Sequence, residues 1–140
     1  MRVSDVAQTT TAGDVEAVAA ARLKRATTDV ERARDQLNRL DRELVKAQEA
    51  EDLAEAAYAD AVARAVLAGL EGKNQAERDA ALHHATTTER EALSEARLRT
   101  RRARAAKERA QRTYDVARYR HRTWRVITAL QSGVGGEDTW

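Results

Sequence analysis

The chain predicts an all-α protein, an antiparallel helical hairpin of coiled-coil type with a short helix at the turn. Three observations carry that expectation. No proline occurs in 140 residues, so no position bars a helix outright. Charged residues make up 34% of the chain and alanine dominates the 42% that is hydrophobic, with no Phe and two Trp, a balance that suits long helices better than a layered α/β core. Between Gly13 and Gly133 the only glycines are Gly69 and Gly72, which makes Gly69–Arg78 the place to turn.

Residues 1–13 are small, polar and without a sustained period, and are expected to form a disordered lead. A single helical-hairpin domain should follow over residues 14–131. Its first long helix, about 14–70, opens on Asp14, a good first-turn acid. One seven-residue phase runs through it as Leu23, Val30, Leu37, Leu44, Glu51, Tyr58 and Ala65, and three positions on as Ala26, Ala33, Leu40, Ala47, Ala54, Ala61 and Ala68. Large residues fill one row and mostly alanine the other, so a second helix can approach closely. Thr28-Asp29-Val30-Glu31 has capping-box spacing and offers a break. A break there would let Val15, Val18 and Leu23 fold back and complete a three-helix bundle; dimerisation would complete a four-helix one.

The turn and short helix are expected over about 71–87, opened by the capping signal Asn74-Gln75-Ala76-Glu77 and closed near His84 or Ala85. The β-branched run Thr86-Thr87-Thr88 and the capping spacing Thr88-Glu89-Arg90-Glu91 predict a kink or loop. A second long helix follows over about 88–131. Its seam is Leu93, Thr100, Lys107, Tyr114, His121 and Thr128 beside Ala96, Ala103, Ala110, Ala117 and Trp124. Gly133, Gly135 and Gly136 should end it and leave residues 132–140 as a flexible tail.

A turn centred near residue 79 predicts the register pair Glu51 and Lys107, the one charge in each seam. It also sets Glu55 beside Arg104 and Asp41 beside Arg118, so that the acidic Glu49–Asp60 stretch neutralises much of the basic Arg97–Arg112 stretch. Two kinds of surface are then left over. Val62, Val66 and Leu67 lie off the seam near the turn, with the short helix as their cover. Val116, Tyr119, Val126 and Leu130 form an apolar stripe on the far side of the second helix and are the candidate protein interface, for a second copy or another protein. At the open end Arg34, Arg118, Arg120, Arg122 and Arg125, with Tyr119, His121 and Trp124 among them, form a candidate nucleic-acid patch, since arginines hold phosphate and aromatic rings stack bases.

Other classes of function find little support. The chain has no cysteine, which removes disulfides, thiolate chemistry and cysteine-held zinc. Asp79 and His83 at i, i+4 supply two ligands where a zinc site needs three, and the adjacent His84 lies on another face. Ser4, Ser94 and Ser132 sit in no nucleophile elbow, and no phosphate-binding glycine loop follows a strand. No apolar run approaches the roughly 20 residues that span a bilayer. The expectation is a cytoplasmic protein with no catalytic or metal site, no cofactor, no membrane contact and no small-molecule substrate. A net charge of only +2 makes the distribution of charge matter more than its sum.

The segment Glu71-Gly72-Lys73-Asn74-Gln75-Ala76-Glu77-Arg78-Asp79-Ala80-Ala81-Leu82 resembles the turn of small helical accessory proteins of phages of actinobacteria and other Gram-positive hosts. Those carry a similar Gly-Lys-Asn-x-x-Glu-Arg segment between two long helices. The resemblance implies a phage or prophage accessory protein and carries over no catalytic residue. Together these readings favour a non-catalytic interaction protein acting through protein–protein contacts, with a nucleic-acid-binding accessory protein as the alternative.

Overall fold

The computed structural model describes residues 12–133 and contains three helices, α1 (Ala12–Ala68), α2 (Gln75–Ala85) and α3 (Thr87–Gln131), with no strand among the described residues. α1 and α3 pack together as the arms of a hairpin, with α2 between them in sequence. The expected lead and tail lie outside the described residues, apart from Ala12 and Gly13, which open α1, and Ser132 and Gly133, which form the turn after α3. Gly133 closes that turn at φ 74, in the left-handed region that glycine tolerates.

The seven-residue phase places the packed faces correctly. Every position of both expected seams is buried or half-buried except Ala68, at the end of α1. The core is as narrow as an alanine-rich hairpin requires: Ala19, Ala26, Ala33, Ala47, Ala61, Ala110 and Ala117 are buried with Leu44 and Leu93 as the only large apolar side chains among them.

Helix α1 runs without a break. Thr27 and Thr28 donate their hydroxyls to the carbonyls of Leu23 and Lys24 at 3.0 and 3.2 Å, one turn back, so neither caps a new helix. The fold-back of Val15, Val18 and Leu23 that a break would have allowed does not occur, and Val15 and Val18 remain 43% and 54% exposed.

The turn is built by Gly69 to Asn74. Gly69 adopts φ 85 and donates its N–H to Val66 at 3.2 Å, ending α1. Gly72, at φ 146, answers a close approach: a Cβ there would lie 2.7 Å from the Glu77 Cβ. Asn74 then caps α2 as expected, its side chain accepting from the Glu77 N–H at 2.9 Å while Glu77 Oε2 accepts from the Lys73 N–H at 2.7 Å.

The junction of α2 and α3 departs from expectation. No loop intervenes, and Thr88 lies inside α3 rather than capping it. Thr86 donates its N–H to Leu82 at 3.1 Å and accepts from the Arg90 N–H at 2.9 Å, so the helical ladder passes through and leaves Thr88 no free amide to satisfy. The irregularity is confined to Thr86 itself, at φ −109 and ψ 15. The threonines bond backwards instead, Thr86 to the Leu82 carbonyl at 2.9 Å and Thr87 to the His83 carbonyl at 3.1 Å, where the Arg90 guanidinium also donates at 2.8 Å.

That continuity changes the register. Since α2 belongs to the returning arm, the reversal falls at Gly69–Asn74 and not near residue 79. Glu51 and Lys107 consequently do not pair: Lys107 meets Asp41 at 2.6 Å, ten residues before Glu51, and Glu51 meets Arg97 at 3.9 Å, ten residues before Lys107. Asp41 is thereby engaged by Lys107 rather than by Arg118. Thr100 marks the same register by donating its hydroxyl to the Ala47 carbonyl at 3.2 Å.

Two compact units make up the chain, one of Arg39–Glu108 and one of the residues up to Asn38 with those from Arg109. The first holds the turn, α2 and the three contacts just given. In the second, the Arg22 guanidinium lies 5.4 Å from the Trp124 ring centroid, and Val30 shares a cleft with Tyr114 and Arg118. Carried along each unit, these contacts set large residues across from alanine, Leu44 from Ala103 and Ala54 from Leu93 in one, Val30 from Ala117 and Ala33 from Tyr114 in the other. The expected register would have set Leu44 against Tyr114 and Ala54 against Ala103, alternating crowded and hollow layers. Close packing favours the even arrangement.

Candidate nucleic-acid interface

From Arg97 to Arg125 helix α3 carries twelve basic residues and two acidic ones, Glu108 and Asp115. The shift of register leaves most of them unmatched. The part of α1 across from Arg97–Glu108 offers Asp41, Glu43, Glu49 and Glu51 but also Arg39, Arg42 and Lys46, a net of one negative charge, so it cancels little. Among the described residues Glu49–Asp60 meets Arg97–Arg112 in a single ion pair, Glu51 with Arg97, instead of neutralising much of it. Among the described residues only Arg97 and Lys107 of the twelve form ion pairs, and the Arg97 contact, at 3.9 Å, is an electrostatic neighbour rather than a hydrogen bond.

In the second unit this charge gathers around a defined feature. Arg118, Arg122 and Arg125 line a cleft of about 210 Å³ with Tyr114, His121 and Val30. The spacing i, i+4, i+7 puts the three arginines on one side of α3, beside the seam residues Tyr114 and His121. Among the described residues no carboxylate lines the cleft, and its contribution from α1 is the apolar side chain of Val30. Three guanidiniums with no carboxylate beside them among the described residues have the chemistry to hold an oxyanion, since a guanidinium binds one through paired N–H donors.

The aromatic residues act otherwise than expected. Tyr114 and Trp124 are half-buried in the seam and each already carries a guanidinium, Arg118 at 5.6 Å from the Tyr114 centroid and Arg22 at 5.4 Å from that of Trp124. Cation–π contact of this kind holds the arginines in place and occupies ring faces on which a base would stack. Tyr119 is 70% exposed and is absent from the cleft lining.

Of the five arginines in the expected patch, the cleft unites Arg118, Arg122 and Arg125 but not Arg34 or Arg120, although all five are exposed. The α1 arginine that reaches this part of α3 is Arg22, through Trp124. Val30 and Tyr114 were assigned to the seam and so missed as cleft residues. Their seam phase, read together with the flank positions of Arg118 and Arg125, was the signal available.

No family model, curated protein or solved structure matches the chain.

The candidate protein interface is divided. Val116, Tyr119 and Leu130 are 48%, 70% and 64% exposed, whereas Val126 is half-buried. Near the turn Val66 and Leu67 stay 55% and 86% exposed, and α2, which buries no residue, does not cover them. His83 and His84 are exposed, Asp79 accepts from Gln75 at 2.7 Å, and the described residues contain no group of three His, Asp or Glu able to hold a metal. No helix among the described residues is long and apolar enough to cross a membrane.

Proposed function

We propose that the protein is a non-catalytic binder of nucleic acid that grips the phosphate backbone through the arginines of α3 without reading sequence. The observation that supports this above all is the basic excess of Arg97–Arg125, of which Arg97 and Lys107 alone form ion pairs among the described residues, gathered at Arg118, Arg122 and Arg125 around a cleft with no acidic lining residue among them. Backbone contact follows from the state of the rings: with Tyr114 and Trp124 occupied by guanidiniums, the phosphates are the groups left to recognise. Such binding is driven by counterion release and falls steeply with salt. Fluorescence anisotropy of a labelled DNA duplex should show binding at about 50 mM KCl that weakens at least 10-fold by about 200 mM, and Arg122→Gln/Arg125→Gln should weaken it further. Absence of binding at the lower salt would sink the proposal.

A second role is favoured by the exposure of Val116, Tyr119 and Leu130, on which a second copy or a partner protein would dock. In either role the chain is taken to act as an accessory protein of a phage or prophage in its host's cytoplasm, on the resemblance of the segment Glu71–Leu82.

A further inference from the structure

Helix α3 contains the same arginine arrangement twice. Arg97-Leu98-Arg99-Thr100-Arg101-Arg102-Ala103-Arg104 and Arg118-Tyr119-Arg120-His121-Arg122-Thr123-Trp124-Arg125 both place arginine at the first, third, fifth and eighth positions, and the second begins 21 residues after the first. Twenty-one residues are three heptads, so corresponding arginines hold the same positions relative to the seam. Arg97, Arg101 and Arg104 correspond to Arg118, Arg122 and Arg125, and the seam residues Leu93 and Thr100 to Tyr114 and His121. The repeats belong to different units, the first to Arg39–Glu108 and the second to the one that includes Arg109 onward.

Their partners on α1 differ in charge: of the carboxylates across from the cluster at Arg97, namely Asp41, Glu43, Glu49 and Glu51, the one that pairs with a cluster arginine among the described residues is Glu51. Because the arms are antiparallel, 21 residues back along α3 correspond to 21 forward along α1, which leads from Val30 to Glu51. Val30 borders Arg118 in the cleft, and Glu51 borders Arg97, its Oε1 at 3.9 Å from the Arg97 Nε. One cluster thus closes on an apolar side chain and the other on a carboxylate. The Glu51 side chain is 28% exposed, so its charge is only partly screened.

We infer that Arg97, Arg101 and Arg104 form a second phosphodiester site equivalent to the one at Arg118, Arg122 and Arg125, and that the Glu51 carboxylate obstructs it. The inference rests on the nucleic-acid function proposed above. A phosphate approaching the second cluster meets a negative charge where the first cluster presents Val30. Like charges repel there, and the guanidinium of Arg97 is already shared. Removing the Glu51 charge should convert the weaker cluster into a full site.

The test compares full-length wild type with Glu51→Gln, which keeps the size of the side chain, and with Asp60→Asn, which makes the same change of net charge outside either cluster. Anisotropy titrations of a labelled DNA duplex over a KCl series give the affinity and the slope of log affinity against log salt. Glu51→Gln should bind several-fold tighter and steepen the slope by about 1, the contribution of one added phosphate contact, while Asp60→Asn changes neither to that extent. Adding Arg97→Gln/Arg101→Gln should abolish the gain from Glu51→Gln. Equal effects of Glu51→Gln and Asp60→Asn would overturn the inference, as would a gain that survives loss of Arg97 and Arg101. Failure of the wild type to bind at low salt would instead remove the nucleic-acid function itself and the inference with it. Should any substitution alter the fold, as read by circular dichroism, Glu51→Val, which copies the apolar partner of the first cluster, replaces Glu51→Gln in the same comparison.

Discussion

Ala47→Leu separates the observed register from its nearest alternative by the sign of its effect. Ala47 is wholly buried, and its carbonyl accepts from the Thr100 hydroxyl at 3.2 Å, so the space beside its methyl is taken by the opposite arm. Leucine adds three carbons. Were room available, as it would be with Ala47 facing an alanine of α3, their burial would stabilise the fold by about 2 kcal/mol at roughly 0.8 kcal/mol per methylene. Without room the helices must part or the side chain leave its rotamer, which costs about 1–3 kcal/mol. Alanine and leucine differ little in helix propensity, so the change reports packing. Urea denaturation followed by circular dichroism should therefore show Ala47→Leu less stable than wild type by about 1–3 kcal/mol, with a melting temperature lower by roughly 5 °C. Thr100→Val, which keeps the shape and removes one hydrogen-bond donor, should cost no more than about 1 kcal/mol. An Ala47→Leu protein more stable than wild type would refute the packing described.

The other expectations probe separate parts of the molecule. A double variant with cysteine at Ala47 and Thr100, in a chain otherwise free of cysteine, should form an intramolecular disulfide under mild oxidation, whereas cysteines at Glu51 and Lys107 should not; non-reducing electrophoresis distinguishes the two. Gly72→Ala should destabilise by about 1–3 kcal/mol in the same urea assay, because its positive φ and the 2.7 Å approach to Glu77 Cβ both oppose a methyl group. Thr128→Val should stabilise by about 1 kcal/mol, since the buried Thr128 hydroxyl has no hydrogen-bond partner among the described residues and valine keeps its shape; a loss of stability would show that the hydroxyl is satisfied. If Tyr119 and Leu130 join two copies, Tyr119→Glu/Leu130→Glu should turn a concentration-dependent sedimentation coefficient into that of a monomer, and a wild type that is monomeric at all concentrations would rule out that dimer.

Much of the fold was legible because its signals are local. Alanine and leucine recurring every seven residues mark the buried stripe of each arm, Gly69 and Gly72 mark the reversal, and Asn74 with Glu77 marks the start of α2; each depends on neighbours within one or two turns. Thr88 misled for a related reason. A Thr-x-x-Glu spacing signals a cap only where amides are free, and at Thr88, as at Thr28 where the shared phase of Leu23 and Val30 argued for continuity, the helix had already supplied their partners.

The chain by itself determined which stripe of each helix is buried, that Gly69 and Gly72 open the turn, and that the arginines of α3 crowd one helix; the centre of the reversal it set too late, near residue 79. Only the tertiary structure decided how far one arm slides along the other. A slip of ten residues is about three turns of helix and returns the same stripe to the interface, so periodicity cannot distinguish the registers. What distinguishes them is volume: Ala47 accommodates Thr100, and in that register Lys107 meets Asp41 rather than Glu51, so the fit of side chains decides which charges meet.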